Sequence, residues 1–353
     1  MIKIEHTSRW KKYPERILGN LWVRILLCVI VPMVIFGILL ASKGNNAISV
    51  YITMFISIFG SAYGIGEVIV RATPLIMTSI TSILPARVGL ANAGGEGQLA
   101  CGALAAAFFG SSVFPSLPGY MGIPALLLVG AFFGMMWAGI AIFLKMKLGM
   151  NETLMTILMN YVMTYIVAAM IYGPLKDPGG YGYPQTATIS DQFRLNMWFG
   201  TRANIGIIFA LIISICTWFV VNRTRVGFNI RTIGGNQTAA KYAGIATNRY
   251  QFLSFLIAGA IAGFAGAVLI VGVEGRVKAG TGVSLGFMGF LAAGIVKNNP
   301  ILSIFAALLI AMIQVMGNSM EINTGLPSAS IQILLTSVLL TMMILGSKGG
   351  KKK

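Results

Sequence analysis

The sequence predicts an all-α protein, a polytopic integral membrane helical bundle of about ten transmembrane helices with both termini in the cytoplasm. Of its 353 residues, 56% are hydrophobic and only 10% are charged, whereas about a quarter are charged in soluble domains. Apolar runs near the length that spans a bilayer recur along the chain. The basic residues, which give a net charge of +17, lie mostly between these runs. This placement is typical of loops facing an anionic membrane surface, and it argues against nucleic acid as a partner.

Ten apolar segments are counted as spans, and they divide the chain into three parts. They lie at 21–41, 67–91, 95–114, 122–144, 152–173, 204–221, 251–273, 282–296, 300–318 and 328–346. Segment 46–66 is apolar but interrupted by glycines, so we interpret it as interfacial or re-entrant, with a true span as the alternative. The transmembrane domain is therefore predicted over 21–346, between a cytoplasmic tail at 1–20 and a basic tail at 347–353.

The distribution of charge orients this layout. With the N-terminus inside, 17 of the 26 basic residues fall in the terminal segments and in the loops 145–150, 222–250 and 297–299. Cytoplasmic loops carry such an excess of lysine and arginine. Both termini are therefore predicted to lie on the cytoplasmic side.

The segment Ala91–Gln98 (ANAGGEGQ) places polar groups inside an apolar region. Ionisable residues at membrane depth are costly and often functional, and glycines suit an interrupted helix whose backbone faces a pathway. A tight turn between two helices at the inner face is the alternative. The candidate pathway residues of this segment are Asn92, Gly94, Glu96, Gly97 and Gln98.

Two further polar clusters are candidates for the same pathway. Asn151 and Glu152 precede Asn160 in the run NETLMTILMNY, and Asn151 and Glu152 fit a helix N-cap and a favourable first-turn acid equally well. Asn160 lies deeper and needs a partner, either another helix or a solute. Gln314 and Asn318 lie four residues apart, on one face of a late span.

The hydrophilic loop 222–250 carries five basic residues and no acid. Within it, Asn236 as N-cap and Gly244 as C-cap predict a short helix on the inner face. Such a helix suits contact with a soluble partner, and a simply solvated basic loop is the alternative. The candidate contact residues are Arg231, Gly234, Gly235, Asn236, Ala239, Ala240, Lys241, Tyr242 and Gly244.

The loop 173–203, on the opposite side, is rich in glycine, proline and tyrosine. It is either a docking surface for an external partner or a simple connector. Catalytic signatures are not found: the one histidine is His6, the three cysteines lie in apolar runs, and phosphate-loop, zinc-protease and nucleophile-elbow motifs are absent. The sequence predicts neither an enzyme nor a metal or cofactor site.

Four blocks, in this order, resemble permeases of ABC importers in the branched-chain amino acid/ribose superfamily, and in particular its nucleoside and simple-sugar branch. The blocks begin at Ala72 (ATPLIMTSITSILPARVGLANAGGEGQ), Asn151 (NETLMTILMNY), Ile230 (IRTIGGNQTAAKYAGI) and Gly272 (GVEGRVKAGTGVSLGFMGFLAAGIVKNNP). The resemblance extends over about 65–345. Alanine stands at position 93 and glycine at position 95, where the branch more often has other residues, and neither departure removes a polar group.

The resemblance implies a permease subunit of the bacterial plasma membrane without a catalytic site or cofactor of its own. A separate cytoplasmic ATPase, which uses ATP and Mg²⁺, would dock on 222–250, hereafter the coupling loop. An external lipoprotein would deliver the substrate, and the pore would include a second permease, either a different chain or a copy of this one. Purine nucleosides such as guanosine are the expected substrates, with riboflavin, nucleobases, ribose and other simple sugars as alternatives. An ATP-independent channel or secondary transporter is the competing class.

Overall fold

The structure, a computed structural model, describes residues 21–198, 200–325, 330–334, 336–338 and 341. The predicted tails at 1–20 and 347–353 lie outside the described residues, as does part of the predicted span 328–346. The chain divides into two compact units, one of residues 1–57 with 313–353 and one of residues 58–312. In the described residues the regular structure is helical, with isolated β-bridges and no strand.

The helices begin and end largely where local sequence signals place them. Asn151, Thr224 and Asn236 each cap a helix N-terminus through the side-chain oxygen, and Gly149 ends a helix in the left-handed conformation at φ 67°. In chain order the α-helices are α1 (Leu21–Ser42), α2 (Ala47–Phe59), α3 (Ala62–Ala86), α4 (Gly95–Phe108), α5 (Gly119–Leu148), α6 (Glu152–Tyr172), α7 (Gly206–Arg223), α8 (Arg225–Gly235), α9 (Gln237–Tyr242), α10 (Thr247–Leu269), α11 (Leu285–Ile295) and α12 (Pro300–Thr324). Short π-helical turns, Phe109–Val113 and Ile270–Glu274, continue α4 and α10.

The number of spanning helices in the described residues is lower than predicted. Six are long and apolar enough to cross a membrane: α3, α5, α6, α7, α10 with its π-helical turn, and α12 as far as Ile322. The end of α1 (Ile30–Ser42) and α2 form a pair bent by 117°, which can add one broken span or a re-entrant loop. The predicted count of about ten is therefore not confirmed.

The predicted spans 95–114 and 282–296 correspond to α4 and α11, which have 14 and 11 residues. At 1.5 Å per residue, α11 extends only about 17 Å, well short of a bilayer core. The glycine interruption predicted in 46–66 is also narrower than expected, because Gly64 and Gly66 lie buried inside α3.

Small residues bring the central helices of the unit 58–312 together. Gly263 of α10 lies against Gly102 of α4 and against Gly130 and Gly134 of α5; a Cβ on Gly134 would lie 2.6 Å from the Gly263 Cα. Only glycine permits such contact, and in lipid it is packing rather than hydrophobicity that drives helix association. Gly263 thus lies on a small-residue face of α10, at its contact with α4 and α5.

The predicted external loop 173–203 is fixed to the segment that follows α10. Backbone N–H groups of Thr186 and Leu195 donate to the carbonyls of Val277 and Val271, each at 2.9 Å. Phe193 is fully buried, whereas Tyr181 is 99% exposed. The backbone of the loop is therefore fixed by hydrogen bonds, and exposed aromatic side chains project from it. The loop lies at the C-terminal end of α10, whereas the coupling loop lies at the N-terminal end.

Candidate functional site

Residues 87–94, hereafter the return segment, turn at the end of α3 and run back beside it before α4 begins. The Asn92 Nδ2 donates to the Thr81 carbonyl at 3.3 Å, and the Ser82 Oγ donates to the Asn92 carbonyl at 3.2 Å. Five residues of helix separate Thr81 from Ala86, a rise of about 7.5 Å. Helix α4 therefore starts beside α3 and before its end, after a turn made by the return segment.

Two buried amide side chains hold this geometry. Asn92 and Gln98, 0% and 1% exposed, exchange two hydrogen bonds of 3.2 Å. The Asn92 Oδ1 also accepts from the Gly94 N–H at 3.0 Å. The amide of Asn92 thus has partners on both its nitrogen and its oxygen, which removes the cost of burying it. In this conformation Asn92 and Gln98 act as positioning residues for the return segment.

Helix α6 supplies the other side of the cluster. The Asn160 Nδ2 donates to the Ala93 carbonyl at 2.9 Å, and its Oδ1 accepts from the Gly97 N–H at 2.8 Å. One turn earlier, the Thr156 Oγ1 accepts from the Ala93 N–H at 3.3 Å. A Cβ on Gly97 would lie 3.0 Å from the Asn160 Oδ1, so glycine allows this approach. The partner that Asn160 needs is therefore the backbone of the interrupted region.

Replacing Asn160 with alanine is expected to destabilise the protein by about 2–6 kcal/mol, because the Gly97 N–H and the Ala93 carbonyl each lose a partner at about 1–3 kcal/mol. Thermal unfolding of the purified protein in detergent would measure the loss. Thr164→Ala, one turn further on α6, is the matched control, because its hydroxyl donates only to the Asn160 carbonyl within the same helix. Equal unfolding temperatures for the two variants would contradict the bridging role.

Glu96 lines a small cleft next to this cluster. The cleft, of about 100 Å³, is bounded by Glu96, Gly97 and Thr164 and by the segment 279–283. The Glu96 Oε2 accepts from the Ser284 N–H at 2.9 Å, and no described residue donates a hydrogen bond to its Oε1. A half-buried carboxylate with a free oxygen can accept a hydrogen bond from a polar solute.

The other predicted pathway residues lie in different surroundings. Asn151 is exposed and caps α6, its Oδ1 accepting from the N–H groups of Thr153 and Leu154. Glu152 forms an ion pair with Lys145 at 2.5 Å. These contacts favour the cap and first-turn roles over a place in the cleft. Gln314 and Asn318 belong to the unit of residues 1–57 and 313–353, where Asn318 is exposed.

The coupling loop contains two helices, α8 and α9, rather than the single short helix that the sequence predicts. Asn236 ends α8 and caps α9, accepting from the Ala239 N–H at 3.0 Å. The predicted N-cap Asn236 is confirmed, whereas the C-cap is Ala243, and Gly244 follows it in the left-handed conformation at φ 78°. Lys241 and Tyr242 are exposed, whereas Ala240 is fully buried. Eight of the nine predicted contact residues are exposed; they are Arg231, Gly234, Gly235, Asn236, Ala239, Lys241, Tyr242 and Gly244.

The buried face of the coupling loop packs on the return segment. Its apolar cluster joins two residues of the return segment to α8, α9, α5 and α10; the members are Val88, Leu90, Ile142, Ile230, Ile233, Ala240 and Phe255. The Gln251 Nε2 donates to the Val88 carbonyl at 3.4 Å, and Gly234 lies directly against the Arg87 carbonyl. Any displacement of α8 and α9 therefore acts on the segment that carries Asn92.

The contact between the coupling loop and the return segment was not predicted from the sequence. The indication in the sequence is that Val88 and Leu90 are apolar and lie between the charged Arg87 and the polar Asn92. Two apolar residues are too few to show a periodicity from which their packing partner could be predicted. Arg87 anchors the same segment, its Nε and Nη2 donating to the Asn298 carbonyl at 3.0 and 2.6 Å.

Comparisons with known proteins identify the family of the chain. A family model described as "Branched-chain amino acid transport system / permease component" matches residues 64–347. The glucose ABC transporter permease of Haloferax volcanii is 31% identical, over 90% of this chain and 86% of its own length.

Two further relatives have comparable similarity. The nucleoside ABC transporter permease NupB of Lactococcus lactis is 32% identical over 88% of this chain and 89% of its own, and the guanosine ABC transporter permease NupP of Bacillus subtilis is 30% identical over 89% and 91%. No solved structure gives a significant match. With a family match over most of its length and several apolar helices that can cross a membrane, the chain belongs to the family of branched-chain amino acid transport system permease components.

Proposed function

We propose that this chain is the permease subunit of an ABC importer that carries nucleosides, purine nucleosides such as guanosine in particular, across the bacterial plasma membrane. Relatives named for nucleosides and for guanosine align over nearly the whole chain. The observation that carries the proposal is the packing of the coupling loop on the return segment, because it links an exposed inner surface to polar groups at depth.

The mechanism follows from that link. A separate cytoplasmic ATPase, which hydrolyses ATP with Mg²⁺, binds the exposed side of α9 around Lys241 and Tyr242. Closure of the ATPase dimer on nucleotide displaces α9, and Ala240 transmits the displacement through the apolar cluster to the return segment. Packed interiors respond as units rather than by continuous deformation. The start of α4, and with it Glu96, therefore changes position relative to α6.

The path itself offers few polar groups. Glu96 is the acid of the cleft, and Asn92, Asn160 and Gln98 hold the backbone around it. Weak and sparse contacts suit a transporter, because tight binding within the membrane would slow release. Substrate selection then rests mainly with the external lipoprotein, for which the exposed side chains of the loop 173–203, such as Tyr181 and Tyr183, offer a docking surface.

A second candidate function is the import of a simple sugar such as glucose or ribose. The similarity to a glucose permease is as extensive as the similarity to the nucleoside permeases. Carboxylate and amide groups hydrogen-bond sugar hydroxyls and ribose hydroxyls alike, so the cleft accommodates either class. A secondary transporter is disfavoured, because the three ion pairs between described residues, such as Arg276–Asp177 and Arg202–Glu67, form no charged relay through the bundle.

Transport in proteoliposomes tests the proposal. The vesicles would contain this chain, its ATPase and its second permease, with and without the cognate lipoprotein. We expect uptake of radiolabelled guanosine that requires both ATP and the lipoprotein. Lipoprotein-stimulated ATP hydrolysis with uptake of glucose but not guanosine would establish the sugar alternative. Uptake that is indifferent to ATP would contradict the importer mechanism.

A further inference from the structure

A cavity beside the coupling loop has no role in the mechanism above. It has a volume of about 670 Å³ and lies between the end of α7 and the start of α10, with α8 on one side. Its walls are mostly apolar, and Val220, Leu253 and Ile257 are exposed within it. Because α7 and α10 are both candidate spans, these side chains face hydrocarbon rather than water in a membrane.

The cavity extends along two candidate spans, from their ends at the coupling loop inwards. On α10 its lining runs from Arg249 to Ile257, eight residues that rise about 12 Å. On α7 it reaches from Val220 back to Cys216. An apolar slot of this depth, open at the level where two spans end, has the dimensions for part of an acyl chain.

The mouth of the cavity has hydrogen-bond donors without acceptors. No described residue forms an ion pair or a side-chain hydrogen bond with the Arg249 guanidinium. The Tyr250 hydroxyl oxygen accepts from the Asn229 Nδ2 at 2.7 Å, and no described residue accepts its proton. None of the lining residues is acidic. A cationic group and a free hydroxyl above an apolar slot match an anionic head group attached to a hydrocarbon chain.

We propose that this cavity binds an anionic phospholipid, with the phosphate at Arg249 and Tyr250 and one acyl chain between α7 and α10. The lining also includes Gly244–Ala246, which lie between α9 and α10. A bound lipid therefore contacts the coupling loop next to the surface proposed for the ATPase. A free phosphate would use only the donors at the mouth and leave the apolar walls without a ligand.

The exposed thiol of Cys216, which lines the cavity, provides a reporter. The other two cysteines, Cys28 and Cys101, are replaced with serine, and the full chain is delipidated in detergent. Maleimide labelling of Cys216 is timed after addition of dioleoyl phosphatidylglycerol or dioleoyl phosphatidylcholine. We expect phosphatidylglycerol to slow labelling about fivefold more than phosphatidylcholine, the contribution of about one basic residue at a membrane surface.

Two arginine variants give the decisive comparison. Arg249→Gln is expected to abolish the difference between the two lipids. Arg225→Gln removes an exposed charge at the start of α8 that does not line the cavity, and it is expected to preserve the difference.

Several outcomes would overturn the lipid site. Equal slowing by both lipids would indicate ordinary contact with surrounding hydrocarbon. Selectivity that survives in Arg249→Gln would place the anion elsewhere. Slowing by inorganic phosphate alone would indicate a free anion, and slowing only after addition of the ATPase would indicate a protein occupant.

Discussion

Gly234→Ala is expected to lower ATP-dependent substrate uptake at least about tenfold while the protein still folds and assembles. A Cβ on Gly234 would overlap the Arg87 carbonyl oxygen, and backbone atoms on both sides cannot rotate away as a side chain can. Such overpacking costs about 1–3 kcal/mol, which the protein relieves by moving α8 away from the return segment. A tenfold change corresponds to about 1.4 kcal/mol, which lies within this range of overpacking cost. The strain is therefore large enough to uncouple the ATPase from the pathway.

A glycine outside the coupling loop supplies the matched control. Gly294 in α11 has no neighbouring atom within 4 Å of its added Cβ, and its φ is not in the left-handed region. Gly294→Ala should therefore leave uptake unchanged. Copurification of the ATPase with each variant checks assembly, and lipoprotein-stimulated ATP hydrolysis measures coupling. If Gly234→Ala retained stimulated hydrolysis and uptake, the contact with Arg87 would have no part in transmission.

Features encoded over a few residues were predictable from the sequence. The roles of Asn236 and Gly244 at the ends of α9 depend on one side-chain oxygen and one left-handed glycine, which are local properties. The close packing through Gly102 and Gly263 also follows from composition, since helices in lipid associate through small residues. The all-helical class likewise follows from long apolar runs, because a lipid environment requires internal backbone hydrogen bonds.

Features that depend on distant partners were not predictable. The return segment is shaped by hydrogen bonds to Thr81 and Asn160. The distances in sequence between these residues and the return segment do not indicate that they meet in the fold. Helix α8 was missed because its sequence (RVGFNIRTIGG) is rich in glycine and β-branched residues, which are weak helix formers. Burial of Ile230 and Ile233 in the apolar cluster stabilises it instead.

The sequence predicts more spans than the described residues contain for a similar reason. Hydropathy alone cannot separate a complete span from an apolar helix that is short and surrounded by protein. Helix α11 has the composition of a span over only 11 residues. Its Gly289 lies against Thr78 of α3, and the Thr78 Oγ1 donates to the Leu285 carbonyl at 3.1 Å. Protein contacts of this kind satisfy groups that lipid could not.

Glu96→Gln is expected to reduce uptake about tenfold without destabilising the protein. A hydrogen bond to a charged group contributes about 1.5–3 kcal/mol and one between neutral groups about 0.5–1.5 kcal/mol. Glutamine has one oxygen, and when that oxygen accepts from the Ser284 N–H an amide NH2 group faces the cleft instead of the free carboxylate oxygen. A passing polar solute therefore loses a charged acceptor, a loss of at least about 1.4 kcal/mol, which corresponds to tenfold. Glutamine keeps an oxygen that can accept from the Ser284 N–H, so the start of α11 stays in place. Uptake at saturating loaded lipoprotein, together with the unfolding temperature, measures the two effects separately.

Two further variants distinguish a pathway role from a structural one. Glu96→Ala removes both the charge and the acceptor for the Ser284 N–H, so it should lower the unfolding temperature as well as uptake. Asn151→Ser keeps an N-cap oxygen at an exposed helix start and should change neither. If Glu96→Gln transported normally while Glu96→Ala failed, Glu96 would serve only to anchor Ser284. A loss in both variants, with stability retained in the glutamine variant, requires the carboxylate itself, because both substitutions remove its charge and its free acceptor oxygen while glutamine keeps the acceptor for the Ser284 N–H.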